Sequence, residues 1–343
     1  MGGFSSAPGT QGKTMYILLL ILFGLLGWYA YEKKQRPTHA VEPGLHEEIE
    51  IPHDQEWEVY QNQISLCSKK LRVCMAELDL PYQSHHVDLI ETRSYENLSR
   101  EFLKINPAFT VPVLIHNGHP VYESHEQIVY AAEQAGQKGR SLLGSTPEHR
   151  DQIARWVDET AIKGDPLSSD RKTAGHAAPG LTIPIFTCML NYIPWWRIGE
   201  GILFHGDRRR PLAFAAMKAR GIHKLPPPIQ AIIAHARKDM SLRLDAAEQD
   251  LDDGRTWICG DVFTLADVGW MAILERLDEV DWTGFFFGQG QRPKTLAYWK
   301  RLQERPSYQT ALSQRSAVHL RALEDLKKAK QIAPEVREML EPS

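Results

Sequence analysis

Cysteine is scarce in this chain, with four in 343 residues and no repeated C-x-x-C spacing. That excludes a disulfide framework and leaves no closely spaced pairs, with histidine partners, of the kind a zinc site needs. No metal site is expected, and free thiols point to a reducing compartment. Basic excess is absent as well: 40 Lys and Arg stand against 43 Asp and Glu, a formal charge of −3, so nucleic acid is not an expected partner. The run Arg208, Arg209, Arg210 reads as a solvated loop. His85 and His86 have no further ligands at metal spacing and read as a solvated strand end. What is present is a 43% hydrophobic chain, long enough for a substantial core and roughly two domains.

One long apolar run exists. Met15 to Tyr31, "MYILLLILFGLLGWYAY", carries no charge and just reaches the roughly 17 to 25 residues that span a bilayer. Trp28, Tyr29 and Tyr31 suit the interfacial belt, and "WYAYEKK" offers no small-residue cleavage site, so the run reads as an uncleaved anchor. Lys33, Lys34 and Arg36 follow it while Lys13 alone precedes it, which places the rest of the chain on the cytosolic side. The expected location is therefore a membrane with a single-pass N-terminal anchor, either a bacterial inner membrane or a eukaryotic organelle surface such as the mitochondrial outer membrane. "MGGFSS" matches an acylation pattern, but acylation of Gly2 in the cytosol would invert this topology, so the match is read as chance.

Residues 1–14 read as a short tail, 15–31 as a transmembrane helix and 32–55 as a polar, Pro-containing tether. From residue 56 to 136 the pattern alternates. "WEVYQNQ" is strand-like, and Leu71, Met75 and Leu78 mark a helix opened by Ser65. "QSHHVDL" is a second strand and "ENLSREFLKINP" a helix. "VPVLIHNGHPVYES" gives two strands around an Asn-Gly turn, and "ESHEQIVYAAEQAG" a closing helix. The predicted order is βαβαββα. Residues 147–320 read as all-α, with an irregular Pro-rich insert at about 165–228, and 321–343 as a polar C-terminal helical tail. Within the insert, "LTIPIFTCMLNYIPWWRIGEGILFHG" is apolar and aromatic. Completion of the helical core is its first reading; a wall of a substrate pocket and a membrane contact are the others. "TLAD", Thr264 to Asp267, reads as a helix capping box.

Cys67 is the residue with the clearest chemical promise. Ser65 is a good N-cap, which puts Cys67 in the first helical turn, where free N–H groups and the helix dipole stabilise a thiolate, and Lys69 and Lys70 add positive charge. The structural alternative is an inert small residue packed under the hairpin. Cys74, two turns on, reads as core-facing.

The order of elements, with "NPAFTVPVLIHNGHPVYES" and "ICGDVFTLADVGWMAILERL" at this spacing, resembles the glutathione S-transferase family. The resemblance covers about Trp57 to Leu320 and implies an α/β thioredoxin-like N-terminal domain followed by an all-α C-terminal domain. "SLCSKKLR" looks like the motif of the zeta-type enzymes and the tetrachlorohydroquinone reductive dehalogenases. "TWICGDVFTLADV" and "GQGQRPKTLAYWKRLQERPSY" are similar to the ganglioside-induced differentiation-associated protein family, although members of that family are anchored at the tail and this chain at the front. The resemblance implies glutathione as the cofactor. It implies that Val111 and Pro112 form a cis-proline turn receiving the cysteinyl part of glutathione, and that Glu123 and Ser124 receive its γ-glutamyl end. Either Cys67 or Ser65 is the implied catalytic group, with Ser68 assisting. The expected partners are glutathione, an electrophilic and apolar small molecule, the membrane through Met15 to Tyr31, and a second copy of the chain in a homodimer. The expected function is a membrane-anchored glutathione-dependent transferase or thiol oxidoreductase. A zeta-like cis-trans isomerase and a non-catalytic scaffold binding partners or lipid at an organelle membrane are the alternatives.

Overall fold

The computed structural model describes residues 9–165 and 170–342, with side chains from residue 13 onward. Helix α1 (Gly9–Lys34) is longer than the charge-free run within it. Its segment Lys13–Lys34 is exposed along most of its length and is long and apolar enough to cross a membrane. Residues 32–55 do not form a free tether. Strand β1 (Gly44–Leu45) pairs antiparallel with Val121 and Tyr122, and Ile51 is buried with Val41 and Ile49 beside it. The segment's few apolar residues are spaced so that they reach the sheet edge, which overrides its polar composition.

The expected βαβαββα order is present: β2 (Trp57–Gln61), α2 (Leu66–Leu78), β3 (Gln83–His86), α3 (Arg100–Ile105), β4 (Val113–His116), β5 (His119–Tyr122) and α4 (Ser124–Gln134). The sheet order is β1-β5-β4-β2-β3, with β2 parallel to β3 and antiparallel to β4. Asn117 and Gly118 close the β4–β5 hairpin, both with positive φ, 50° and 84°, as a two-residue turn matched to strand twist requires. Helix α5 (Gly136–Leu143) leads to the second domain.

That domain consists of α6 (Pro147–Thr160), α7 (Ala174–Met189), α8 (Trp195–Phe204), α9 (Arg209–Arg220), α10 (Pro227–Asp250), α11 (Leu265–Glu279), α12 (Thr283–Phe287), α13 (Pro293–Gln303), α14 (Pro306–Leu312), α15 (Ala317–Ile332) and α16 (Pro334–Leu340). The described part of the insert is therefore largely helical rather than irregular. Pro179 and Pro184 lie inside α7. A proline there costs about 3 kcal/mol, but α7 is buried almost throughout, and at Gly180 a Cβ would stand only 2.5 Å from Ala236 of α10. Tertiary packing outweighs the local preference. Nor do the described residues of the expected 321–343 tail stand apart: Leu326, Ala329, Val336 and Leu340 are buried, and Arg237 Nη1 donates to the Leu340 carbonyl at 2.7 Å. Their apolar positions are helically spaced among many charges, so composition alone hid the buried face.

Helix α11 is the axis of the domain and abuts α2. Thr264 and Asp267 form the capping box at its start, and the buried Asp267 also accepts from Ile258 N at 3.0 Å and Tyr298 OH at 2.7 Å. At the far end a buried ionic cluster joins the domains. Lys69 of α2 pairs with Glu279 and lies 3.9 Å from Glu275, while Arg315 reaches Glu275 at 3.2 Å.

Candidate active site

Ser65 caps α2 as expected. Its φ and ψ are −64° and 122°, and its Oγ accepts from Ser68 N at 3.2 Å, an arrangement that contributes about 1 kcal/mol to the helix. The hydroxyl also reaches the Val111 carbonyl at 3.4 Å. Cys67, in the first turn, is half-buried, whereas Cys74, Cys188 and Cys259 are buried. Burial pushes the Cys188 and Cys259 thiols up to about 12 and Cys74 further still. Cys67 is thus the one thiol open to a second reactant.

Ser68 does not join this surface. It is fully buried and its Oγ accepts from Asn62 N at 3.3 Å, so it braces the β2–α2 turn rather than assisting chemistry. The two lysines also differ from expectation. Both are buried, because α2 turns this face toward the second domain. Lys69 is spent on Glu279 and Glu275, and burial lowers its pKa well below the usual lysine value. Lys70 Nζ donates to the Thr160 carbonyl, yet its charge is felt by both Cys67 and Glu123.

The Val111–Pro112 peptide is cis, and it faces the start of α4. Gln127 makes that link: fully buried, its Nε2 donates to the carbonyls of Pro112 and Val121 at 2.9 and 2.8 Å. Glu123, immediately before α4, has φ 67°. A non-glycine residue in the left-handed region costs about 1 to 3 kcal/mol, so its carboxylate is held where the relaxed chain would not put it. Burial raises the Glu123 pKa, with Lys70 opposing. His125 lies 3.9 Å from that carboxylate, but burial, then Lys163 and Lys70, hold it down to about 4. The cations whose field favours the Glu123 carboxylate are therefore Lys70 and, less strongly, Lys163. Ser124 is buried at the first position of α4.

Two residues of the site escaped the sequence reading. Gln127 was legible only as an amide three positions after Ser124. Arg276 of α11 has no local signal at all: its Nη2 donates to the Ile64 carbonyl, just before the α2 cap, and its Nη1 donates to Thr182 Oγ1 at 3.0 Å. Burial brings the guanidinium down to about 10, and it stands within electrostatic reach of Cys67 and Glu91.

A thiol at a helix start, a peptide turn beside it and a carboxylate–hydroxyl pair at the next helix start form a strip suited to a short thiol peptide. Residues 64–134 match the glutathione S-transferase N-terminal domain, and residues 214–306 match the C-terminal domain. Both domains are those of the glutathione S-transferase family. The chain is 25% identical over 263 residues to a tetrachloro-p-hydroquinone reductive dehalogenase of Sphingobium chlorophenolicum, covering 74% of this chain and 94% of that one. It is 23% identical over 255 residues to the glutathione S-transferase TCHQD of Arabidopsis thaliana, covering 74% and 89%. Among solved structures, the beta-etherase LigF of Sphingobium sp. strain SYK-6 superposes with a TM-score of 0.57 at 20% identity, over 74% of this chain and 98% of that one. A theta class glutathione S-transferase of Xanthomonas axonopodis pv. citri, with glutathione bound, gives 0.51 at 18% identity, over 76% and 99%. Like its relatives, the chain is a glutathione S-transferase-like enzyme with glutathione as co-substrate.

Proposed function

We propose that the chain is a membrane-anchored glutathione-dependent enzyme that removes halide from apolar halogenated aromatics through Cys67. The observation carrying this reading is the position of Cys67, half-open in the first turn of α2. Glutathione would lie along the strip, its γ-glutamyl end at Glu123 and Ser124 and its cysteinyl part against the Val111 backbone. Its thiolate attacks the halogen-bearing carbon, forming a carbon–sulfur bond and expelling halide. The Cys67 thiolate then attacks the glutathione sulfur. The carbon–sulfur bond breaks toward carbon, which takes up a proton, and a Cys67–glutathione disulfide remains. A second glutathione thiolate attacks that disulfide, freeing Cys67 and leaving glutathione disulfide. The carbon gains two electrons, and two glutathione thiols supply them. The relative named as a reductive dehalogenase supports this chemistry.

The anchor reading rests on α1, whose segment Lys13–Lys34 is long and apolar enough to cross a membrane, and the positive charges of Lys33, Lys34 and Arg36 after it support a cytosolic side for the enzyme domains. Mass spectrometry after incubation with glutathione and a chlorinated hydroquinone tests the function. Halide release with glutathione disulfide-linked to Cys67 is expected. Conjugate alone, with no protein-bound glutathione, would leave a simple transferase activated by Ser65.

A further inference from the structure

The last two turns of α1 are not isolated from the enzyme domains. The Trp28 and Tyr29 rings lie 6.2 and 5.9 Å from that of Phe204, the final residue of α8. Tyr29 OH donates to the Leu203 carbonyl at 3.3 Å and accepts from Arg208 Nη2 at 2.9 Å. The Arg36 guanidinium stands 4.4 Å from the Phe204 ring. A groove of about 550 Å³, lined chiefly by Trp28, Trp196, Ile202, Leu203 and Phe204, opens along this contact.

Helix α8 is fixed from behind. Of its residues only Ile198 and Gly201 are buried, and a Cβ on Gly201 would stand 2.5 Å from the Tyr95 ring, so that face is seated on the N-terminal domain. The opposite face has no cover among the described residues. Trp195 and Trp196 are 53% and 62% exposed, and Leu203 and, on α9, Leu212 are exposed beside them. Lys218 Nζ lies 5.4 Å from the Trp195 ring and the Arg197 guanidinium 3.9 Å from that of Trp196. Indole rings with cations at their faces suit a bilayer interface, where the ring meets acyl chains and the charge meets phosphate. Exposed apolar surface of this kind marks an interaction site, and contact with the end of α1 decides which. If α1 spans a bilayer, Trp28 and Tyr29 sit at headgroup level, and α8 sits there with them.

We propose that α8, with Leu212 of α9, lies in the interfacial layer of the bilayer that α1 crosses, and so holds the enzyme domains in one orientation on the membrane. The inference rests on the anchor reading. The test uses the full chain carrying Cys67→Ser, whose remaining thiols are buried, with one introduced cysteine: Leu19→Cys on α1, Trp196→Cys on α8, or Gln309→Cys on α14. Each is labelled with a polarity-sensitive fluorophore and reconstituted into vesicles of phosphatidylcholine and phosphatidylglycerol containing spin-labelled lipid. The Trp196 label is expected to be quenched several-fold more than the Gln309 label by a shallow spin label, and the Leu19 label by a deep one. Leu212→Cys repeats the α8 measurement should Trp196→Cys misfold. If Leu19 is quenched but the α8 label matches Gln309, the inference fails and the anchor stands. If the α8 label is blue-shifted yet insensitive to spin-labelled lipid, a second copy of the chain covers this face and the inference again fails. An unquenched Leu19 label would overturn the anchor and the inference with it.

Discussion

Ser65 Oγ lies 3.4 Å from the carbonyl oxygen of Val111, so the cap of α2 and the turn before β4 act as one unit, and Cys67 is carried on it. Because Cys67 alone among the four thiols is half-open, it should alkylate fastest at neutral pH, with Cys74, Cys188 and Cys259 reacting only on unfolding. Peptide mapping after brief alkylation reads this directly. Cys67→Ser should abolish turnover while sparing glutathione binding and one conjugation step. If it is silent and Ser65→Ala is damaging instead, Ser65 activates glutathione.

Glu123→Ala and Ser124→Ala should each weaken glutathione binding by about 1 to 3 kcal/mol, since each leaves a charged end of the ligand without its partner. Glu123→Gly relieves the strained φ that Ala would keep, so its melting temperature should hold or rise. Titration calorimetry paired with a melting curve separates the two effects, and unchanged affinity would remove this pair from the site.

Gln127→Leu removes both bonds that tie α4 to the Pro112 and Val121 carbonyls. A loss of roughly 2 to 4 kcal/mol in stability is expected. Glutathione affinity should fall even at temperatures where the variant is folded, because the strip loses its brace. Intact affinity in the folded variant would make Gln127 structural only.

Truncation should show where the enzyme domains begin. Removal of residues 1–35 leaves β1 and the apolar residues up to Ile51 in place, whereas removal of residues 1–50 strips β1 from β5 and uncovers the sheet edge. The longer deletion should melt at a lower temperature. Equal melting curves would restore residues 36–50 to the status of a tether.

His319 is buried against the interdomain cluster, with Nε2 2.9 Å from the Glu279 carbonyl. Burial and the cations Lys69, Arg276 and Arg315 hold its pKa down to about 3. Unfolded, it titrates near 6.5. Between these values the unfolded chain binds the extra proton, so stability falls as pH drops from about 6.5 toward 3. His319→Gln should flatten the dependence of melting temperature on pH between 7 and 5. A slope unchanged by the substitution would assign acid sensitivity elsewhere.

The order of strands and helices, the division into two domains, the cap at Ser65 and the place of Cys67 in the first turn were legible in local chemistry: a periodicity, a capping side chain or an Asn-Gly turn, readable within a few residues. The Val111-Pro112 and Glu123-Ser124 pairs came instead from the resemblance to a family. Only the tertiary structure decided which way α2 turns its lysines, that Ser68 is a brace, that Arg276 comes from 212 positions away to reach Ile64, and that the supposed tether and tail belong to the body. The same held for α7, where packing overrode two prolines, and for α8, whose aromatic face found no core and stayed exposed beside α1. These outcomes depend on burial between segments distant in sequence, and the free energy of burial belongs to the pair of surfaces that meet rather than to either stretch alone.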